Sequence, residues 1–266
     1  MGTAGLATAP LIVLDAVDST QAEARRRLQA RESGACWLLA RRQTAGRGRK
    51  GRQWISPPGN LHLSLLLPLD ESGQGDALIT QAFLPQLSFV AALAAHKALC
   101  AAAMRHGLPQ LQGLLALKWP NDVLLAERKL GGILLEAETA SAHHPPAVII
   151  GWGVNLAQAP DEKAVRWPAA SLQDAGLALT PEALARGIAD AFARWFDIWR
   201  TRGFALVREA WQARAWGMGR TVRFATEQAI VHGRMEGLDE DGALLLRTDE
   251  GTSMRFHAGE ILHPGF

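Results

Sequence analysis

Gly46-Arg47-Gly48-Arg49-Lys50-Gly51-Arg52-Gln53-Trp54-Ile55-Ser56-Pro57-Pro58-Gly59 is the stretch on which the fold class turns. Its first six residues match GxGxxG, a dinucleotide-binding turn that needs a helix directly after it to face the pyrophosphate. Here Trp54, Ile55 and Ser56 lead into Pro57, Pro58 and Gly59, where no helix can start. A doubly wound nucleotide fold is therefore excluded. The same glycine spacing suits a P-loop, yet Arg52 and Gln53 stand where its Lys and Ser or Thr belong. What remains is a loop whose glycines let the backbone approach a ligand, while Arg47, Arg49, Lys50 and Arg52 offer charge to carboxylate or phosphate oxygens. A solvated basic loop and a nucleic-acid-binding arm are the competing readings of these residues alone.

Outward from this loop, residues 41–60 form a polar connection between two apolar strands. Cys36 to Ala40 is one; in the other Leu61, Leu63, Leu65 and Leu67 alternate with His62, Ser64 and Leu66. Upstream, Leu11 to Val17 reads as a strand. Asp18-Ser19-Thr20 opens a helix reaching to about Gly34, with Thr20 and Glu23 at capping-box spacing. Leu84 to His106, closed by Gly107, predicts a buried Ala-rich helix. Its apolar part, Phe89 to Met104, carries His96 and Lys97 and reads as too short and too polar for a membrane span. Leu114 to Trp119, Val123 to Leu125, Leu130 to Glu138 and Ala147 to Val154 predict closely spaced strands, with His143-His144-Pro145-Pro146 as a loop. One helix starts at Thr180-Pro181-Glu182, with Leu184, Ile188, Phe192, Trp195 and Trp199 near the 3.6-residue period, and a second runs from Phe204 to Trp216. Together they should cover one face of the sheet. After Gly217, short strands and turns at Asp241-Gly242 and Glu250-Gly251 read as a small β-barrel. The expected fold is thus α/β (α+β): a mixed, largely antiparallel sheet flanked by helices over residues 1–216, then a barrel over 217–266.

Composition narrows the function classes. The chain has 266 residues, 48% of them apolar and 20% charged, which fits a folded globular protein. With 28 Lys and Arg against 26 Asp and Glu the net charge is +2, so a bulk polyanion-binding surface is not indicated. Cys36 and Cys100 lie far apart without CxxC spacing, which argues against a disulfide framework and a Cys-based zinc site and for a reducing, cytoplasmic setting. No Lys or Arg precedes Arg25, so a secretory signal is not expected. GxSxG, HExxH and catalytic-Cys motifs are absent from the sequence. Three further segments concentrate chemistry. Lys118-Trp119-Pro120-Asn121-Asp122 sets a cation, an amide and a carboxylate at a strand end, although Asn-Asp alone also reads as a turn former. Arg128-Lys129-Leu130-Gly131-Gly132 and Gly151-Trp152-Gly153-Val154-Asn155 place glycines within strands, where backbone commonly meets a ligand.

Taken in order, Asp18-Ser19-Thr20, Gln43 to Gly51, Lys118 to Asp122, Arg128 to Leu134 and Gly151 to Asn155 resemble the motifs of the biotin protein ligases, over nearly the whole chain. The resemblance implies a catalytic domain related to class II aminoacyl-tRNA synthetases and a C-terminal SH3-like barrel. It implies two reactions: biotin and MgATP form biotinyl-5′-AMP and pyrophosphate, and the biotinyl group then moves to a lysine of a biotin carboxyl carrier protein. It also implies the site. Ser19, Thr20, Gln21 and Gln43 should bind biotin, with Gly151 and Gly153 letting backbone reach it. Arg47, Gly48 and Arg49 should fold over its carboxylate and the phosphate, and Lys129 should be the essential cation beside Arg49 and Arg47. Gly46, Lys50, Arg52, Trp54, Lys118, Asn121, Asp122 and Asn155 are expected around ATP and its magnesium, with Trp167 on adenine and no protein metal site. Two departures from the family pattern stand out. Gln21 replaces a frequent Asn, and Trp152 replaces a small residue, which strand alternation lets point away from the pocket.

A lipoate ligase is the nearest rival and shares the chemistry, but it usually carries a different Arg-Gly signature. A nucleic-acid-binding module is the rival from another class, and confinement of the basic residues to one loop counts against it. Some relatives add an N-terminal helix-turn-helix domain. With seventeen residues before Asp18, a monofunctional ligase is expected, as monomer or homodimer, with no nucleic-acid or membrane partner.

Overall fold

The structure, a computed structural model, describes residues 4–32, 34–69, 84–141 and 144–265. His143 of the expected loop lies outside them. The chain runs α1 (Ala4–Ala7), β1 (Leu11–Leu14), α2 (Thr20–Gln29), β2 (Cys36–Ala40), β3 (Leu61–Pro68), α3 (Leu84–Arg105), β4 (Leu115–Lys118), β5 (Asp122–Leu125), β6 (Arg128–Glu138) and β7 (Ala147–Val154). It continues through α4 (Pro181–Arg202), α5 (Phe204–Gln212), β8 (Thr221–Ala225), β9 (Ile230–Leu238), β10 (Leu244–Arg247), β11 (Ser253–Phe256) and β12 (Glu260–Leu262).

The first seven strands form one sheet in the order β1-β2-β3-β7-β6-β5-β4. β1 and β2 are parallel, joined through α2 as a parallel pair requires, and every other neighbouring pair is antiparallel. Strand pleating gives this sheet two different faces. Trp37, Leu39, Leu61, Leu63, Leu65, Val148, Ile150, Trp152 and Val154 point to one side, into the core beneath α3 and α4. On the other side Cys36, Leu38, Leu66, Ala147 and Ile149 pack with Ala24 and Leu28 of α2, but only at one end. Further along that face stand His62, Ser64, Gly151 and Gly153, which give α2 nothing apolar to cover. The uncovered end becomes a pocket.

The last five strands form an antiparallel sheet in the order β11-β10-β9-β8-β12. Its apolar residues join the main core: Trp119 packs 5.6 Å from Phe224 and donates from Nε1 to Gly242 O at 3.3 Å.

Five expectations change. The capping box does not form: Ser19 occupies the N-cap of α2, Thr20 spends its hydroxyl in the pocket, and Glu23 pairs with Arg26 and Arg27. α2 ends at Gln29 rather than near Gly34, and β1 ends at Leu14, with Val17 making a single parallel bridge to Gln43. α5 stops at Gln212 because Ala215 bridges Leu117 at the sheet edge, drawing the chain out of the helix. α3, 22 residues, matches the expected helix within one residue, but over Pro85–Arg105 it is long and apolar enough to cross a membrane by length and composition, where the sequence reads as too short and too polar. It packs instead on the sheet beside α4, with His96 buried and Lys97 exposed.

Candidate active site

The open end of the sheet face bounds a cavity of about 550 Å³, closed by the start of α2, the Gly-Arg loop, residues 160–169 and Gly259 and Glu260 of the C-terminal sheet. Its inner end is neutral and polar. Ser64 Oγ donates to Thr20 Oγ1 (2.7 Å), which donates to Gln43 Oε1 (3.1 Å), and the Thr20 N–H donates to the same oxygen (2.8 Å). Gln43 Nε2 donates to Ser56 Oγ (3.0 Å), which donates to Trp54 O. Such a chain fixes which side of each hydroxyl and amide offers a proton. Gln21 donates from Nε2 to Leu134 O (2.9 Å), leaving its buried Oε1 without a protein partner.

The floor is built of glycine because side chains lie directly on it. A Cβ at Gly153 would stand 2.4 Å from the Trp54 indole, and one at Gly151 would stand 3.0 Å from Gln21 Nε2. Trp152, between them, points to the opposite face, where it donates from Nε1 to Ala91 O (3.0 Å) and packs on Trp37 and Phe192.

The outer end is charged. Asp122 at the head of β5 binds Lys118 Nζ (2.9 Å) through Oδ2 and Lys129 Nζ (2.6 Å) through Oδ1. Burial alone would raise the Asp122 pKa, but the two ammonium charges and their hydrogen bonds hold it far below the usual carboxylate range. The Lys118 ammonium lies 4.6 Å above the Trp167 ring, whose N–H donates to Glu127 O (2.8 Å) and whose other neighbours are Trp216 and His263. Arg49 donates to Asn121 Oδ1 at 3.3 Å; burial lowers its pKa, against the opposing charges of Asp122 and Glu260. Asn155 donates its amide to Ala170 O (3.1 Å) at the cavity wall.

The cavity brings together every site residue expected from the sequence except Gly46. Gly46 acts on the loop itself: its Cβ would stand 2.4 Å from Trp54 O and 2.5 Å from Ser56 Oγ, so only glycine allows the two arms of the loop to close. Arg47, about half exposed, reaches toward Glu136 at 3.9 Å. The sequence reading missed Ser64 and His62 on β3, whose pocket-side positions follow from the Leu alternation already noted. It also missed Glu260, which grips Arg52 through two hydrogen bonds (2.9 and 2.6 Å) and lies 208 residues from it, with no local pattern to mark it.

A mixed sheet that joins a neutral polar recess to a cluster of cations, with a small antiparallel sheet against its mouth, defines the class of biotin and lipoate ligases. Residues 13–155 match the Biotin/lipoate A/B protein ligase family and residues 217–263 the Biotin protein ligase C terminal domain; the chain belongs to this family. It is 45% identical over 260 residues to a biotin–[acetyl-CoA-carboxylase] ligase of Paracoccus denitrificans, covering 95% of this chain and 100% of that protein. It is 32% identical to the bifunctional ligase/repressor BirA of Escherichia coli, over 94% of this chain and 72% of that one. Among solved structures, a biotin protein ligase from Aquifex aeolicus in complex with biotin and ATP is 28% identical and superposes with a TM-score of 0.74, covering 95% of this chain and 97% of that one.

Proposed function

We infer that this chain is an ATP-dependent biotin protein ligase acting on the biotin carboxyl carrier of acetyl-CoA carboxylase. The observation that carries the reading is the continuity of one cavity: hydroxyls and amides at one end suit a ureido ring, and Lys129, Arg49, Lys118 and Arg52 at the other suit a triphosphate. Biotin's carboxylate oxygen attacks the α-phosphorus of ATP, the α–β bridging bond breaks, and pyrophosphate leaves. A lysine amine of the carrier then attacks the acyl carbon and releases AMP. No enzyme nucleophile is needed. The protein aligns two anions and offsets the charge that develops between them, which is the work of fixed cations in a water-poor site. Lys129 is nearest to that role, held on β6 by Asp122 with its side chain still 30% exposed to the cavity.

Magnesium enters as part of the MgATP substrate. The cavity's two carboxylates do not fit a protein-held ion, since Asp122 is taken by two ammonium groups and Glu260 by Arg52. Magnesium commonly needs only one or two carboxylates beside substrate phosphates, and neither is free here. The same reading includes a cytoplasmic enzyme, monomeric or homodimeric, without a nucleic-acid or membrane partner, in keeping with a net charge of +2. ATP–pyrophosphate exchange tests the function: exchange dependent on biotin supports it, and exchange with lipoate but not biotin overturns it in favour of a lipoate ligase.

A further inference from the structure

The backbone of residues 46–54 bonds mostly to itself, while the Trp54 indole lies on Gly153. Gly48 N–H donates to Arg52 O (2.7 Å), Arg52 N–H to Arg49 O (3.2 Å) and Trp54 N–H to Gly46 O (2.9 Å), so the loop closes into a small hairpin of its own. Where that hairpin sits depends on side chains reaching outward. Arg47 reaches Glu136 only at 3.9 Å and Arg49 reaches Asn121 at 3.3 Å, whereas Arg52 meets Glu260 in a complete two-point grip at 2.9 and 2.6 Å. Paired hydrogen bonds between guanidinium and carboxylate fix orientation as well as distance. Glu260 opens β12, and the next carbonyl, Ile261 O, accepts from buried Lys118 Nζ at 3.4 Å. One short strand of the C-terminal sheet therefore touches both the loop and the cation cluster.

We propose that Glu260 is a positioning residue for adenylation: by holding Arg52 it sets the Gly-Arg loop over the phosphate end of the cavity, and so ties use of ATP to the C-terminal sheet. The ATP part rests on the ligase reading above; the position of the loop does not. Glu260 touches no part of the neutral recess, where Thr20, Gln21 and Gln43 lie, so its loss separates the two substrates.

The test compares Glu260→Gln, Glu260→Asp, Arg52→Gln and the double variant Arg52→Gln/Glu260→Gln. Two readouts are followed: KM values in biotin-dependent exchange, and the rate at which trypsin cuts the ligand-free protein between Arg47 and Arg52. For Glu260→Gln the KM for ATP should rise about fivefold, the equivalent of about 1 kcal/mol for a well-formed exposed pair. The KM for biotin and the thermal midpoint should stay put, and the loop should be cut faster. Glu260→Asp should recover most of both losses, and in the Arg52→Gln background Glu260→Gln should add nothing. The proposal is overturned if folded Glu260→Gln keeps the parent's KM for ATP and cleavage rate, or if its effect is as large without Arg52 as with it. A protein that shows no biotin-dependent exchange but whose loop is cut faster in Glu260→Gln would uphold the grip and overturn the ligase reading.

Discussion

Lys118 and Asp122 face each other across the β4–β5 ladder as a buried ion pair, Nζ 2.9 Å from Oδ2, with the lysine side chain 1% exposed. An ammonium so placed tolerates burial only because the carboxylate is there. Asp122→Asn should therefore cost about 3–5 kcal/mol of stability, the usual price of stranding one member of a buried pair, read as a lower midpoint in urea unfolding. The pH dependence has a definite sign. Because its folded pKa is depressed, Asp122 contributes fully above the unfolded value of 3.8 and loses that contribution as pH falls below it. The parent should lose stability more steeply than Asp122→Asn in that acid range. Equal acid limbs would show that Asp122 does not set it.

Lys129 shares the same carboxylate but is only partly buried, so its removal leaves Asp122 paired with Lys118. Lys129→Ala should keep its fold and lose biotinyl-adenylate formation, by about 100-fold to 1000-fold if it acts as one fixed donor at the developing charge. Near-parental exchange in the folded variant would remove Lys129 from the mechanism.

How much of this was legible in the sequence follows the range of each contact. The glycines of Gly151-Trp152-Gly153 announced a floor because alternation is a local property, and Trp152 falls on the core side as that alternation requires. The Gly-Arg loop was legible because Pro57-Pro58 forbids a helix after it. By contrast, the Thr20-Glu23 spacing suggested a cap, yet the Thr20 hydroxyl is claimed by Gln43 and Ser64, partners 23 and 44 residues away. Glu260 was silent for the same reason: its meaning lies in Arg52, brought near only when the C-terminal sheet docks. The end of α5 was set by Leu117, across the sheet edge, which helical periodicity cannot register.

The floor gives a steric prediction. An added methyl at residue 153 would fall 2.4 Å from the Trp54 ring, which belongs to the loop. Gly153→Ala should drive Trp54 off the floor at a cost of about 1–3 kcal/mol, as overpacking generally does. If the displaced indole intrudes where biotin's ring system lies, the KM for biotin rises roughly tenfold for each 1.4 kcal/mol. An unchanged KM for biotin in Gly153→Ala would mean that Trp54 and the ligand do not share this space.

The turn before Lys129 gives a prediction of the opposite sign. Leu125 and Arg128 pair across β5 and β6, so Ala126 and Glu127 form a two-residue hairpin loop, with φ of 48° and 62°. Positive φ at both central residues is the mark of a type I′ turn, for which Asn-Gly is preferred and Ala is poor because its Cβ crowds the backbone. Glu127 has reasons to stay: its carboxylate pairs with Arg220 at 2.7 Å and its carbonyl accepts from Trp167. Ala126 is exposed and has no side-chain partner to lose. Ala126→Asn should therefore stabilise the protein by about 0.5–1 kcal/mol, the range commonly gained when a turn residue is matched to its conformation. Exchange activity should not change, since Lys129 keeps its place on β6 through its N–H to Pro168 O and its carbonyl to Ala170 N–H. A lower unfolding midpoint for Ala126→Asn would show that the hairpin is not strained at this residue, and a loss of exchange with the midpoint raised would show that Lys129 depends on the turn as well as on its two backbone bonds.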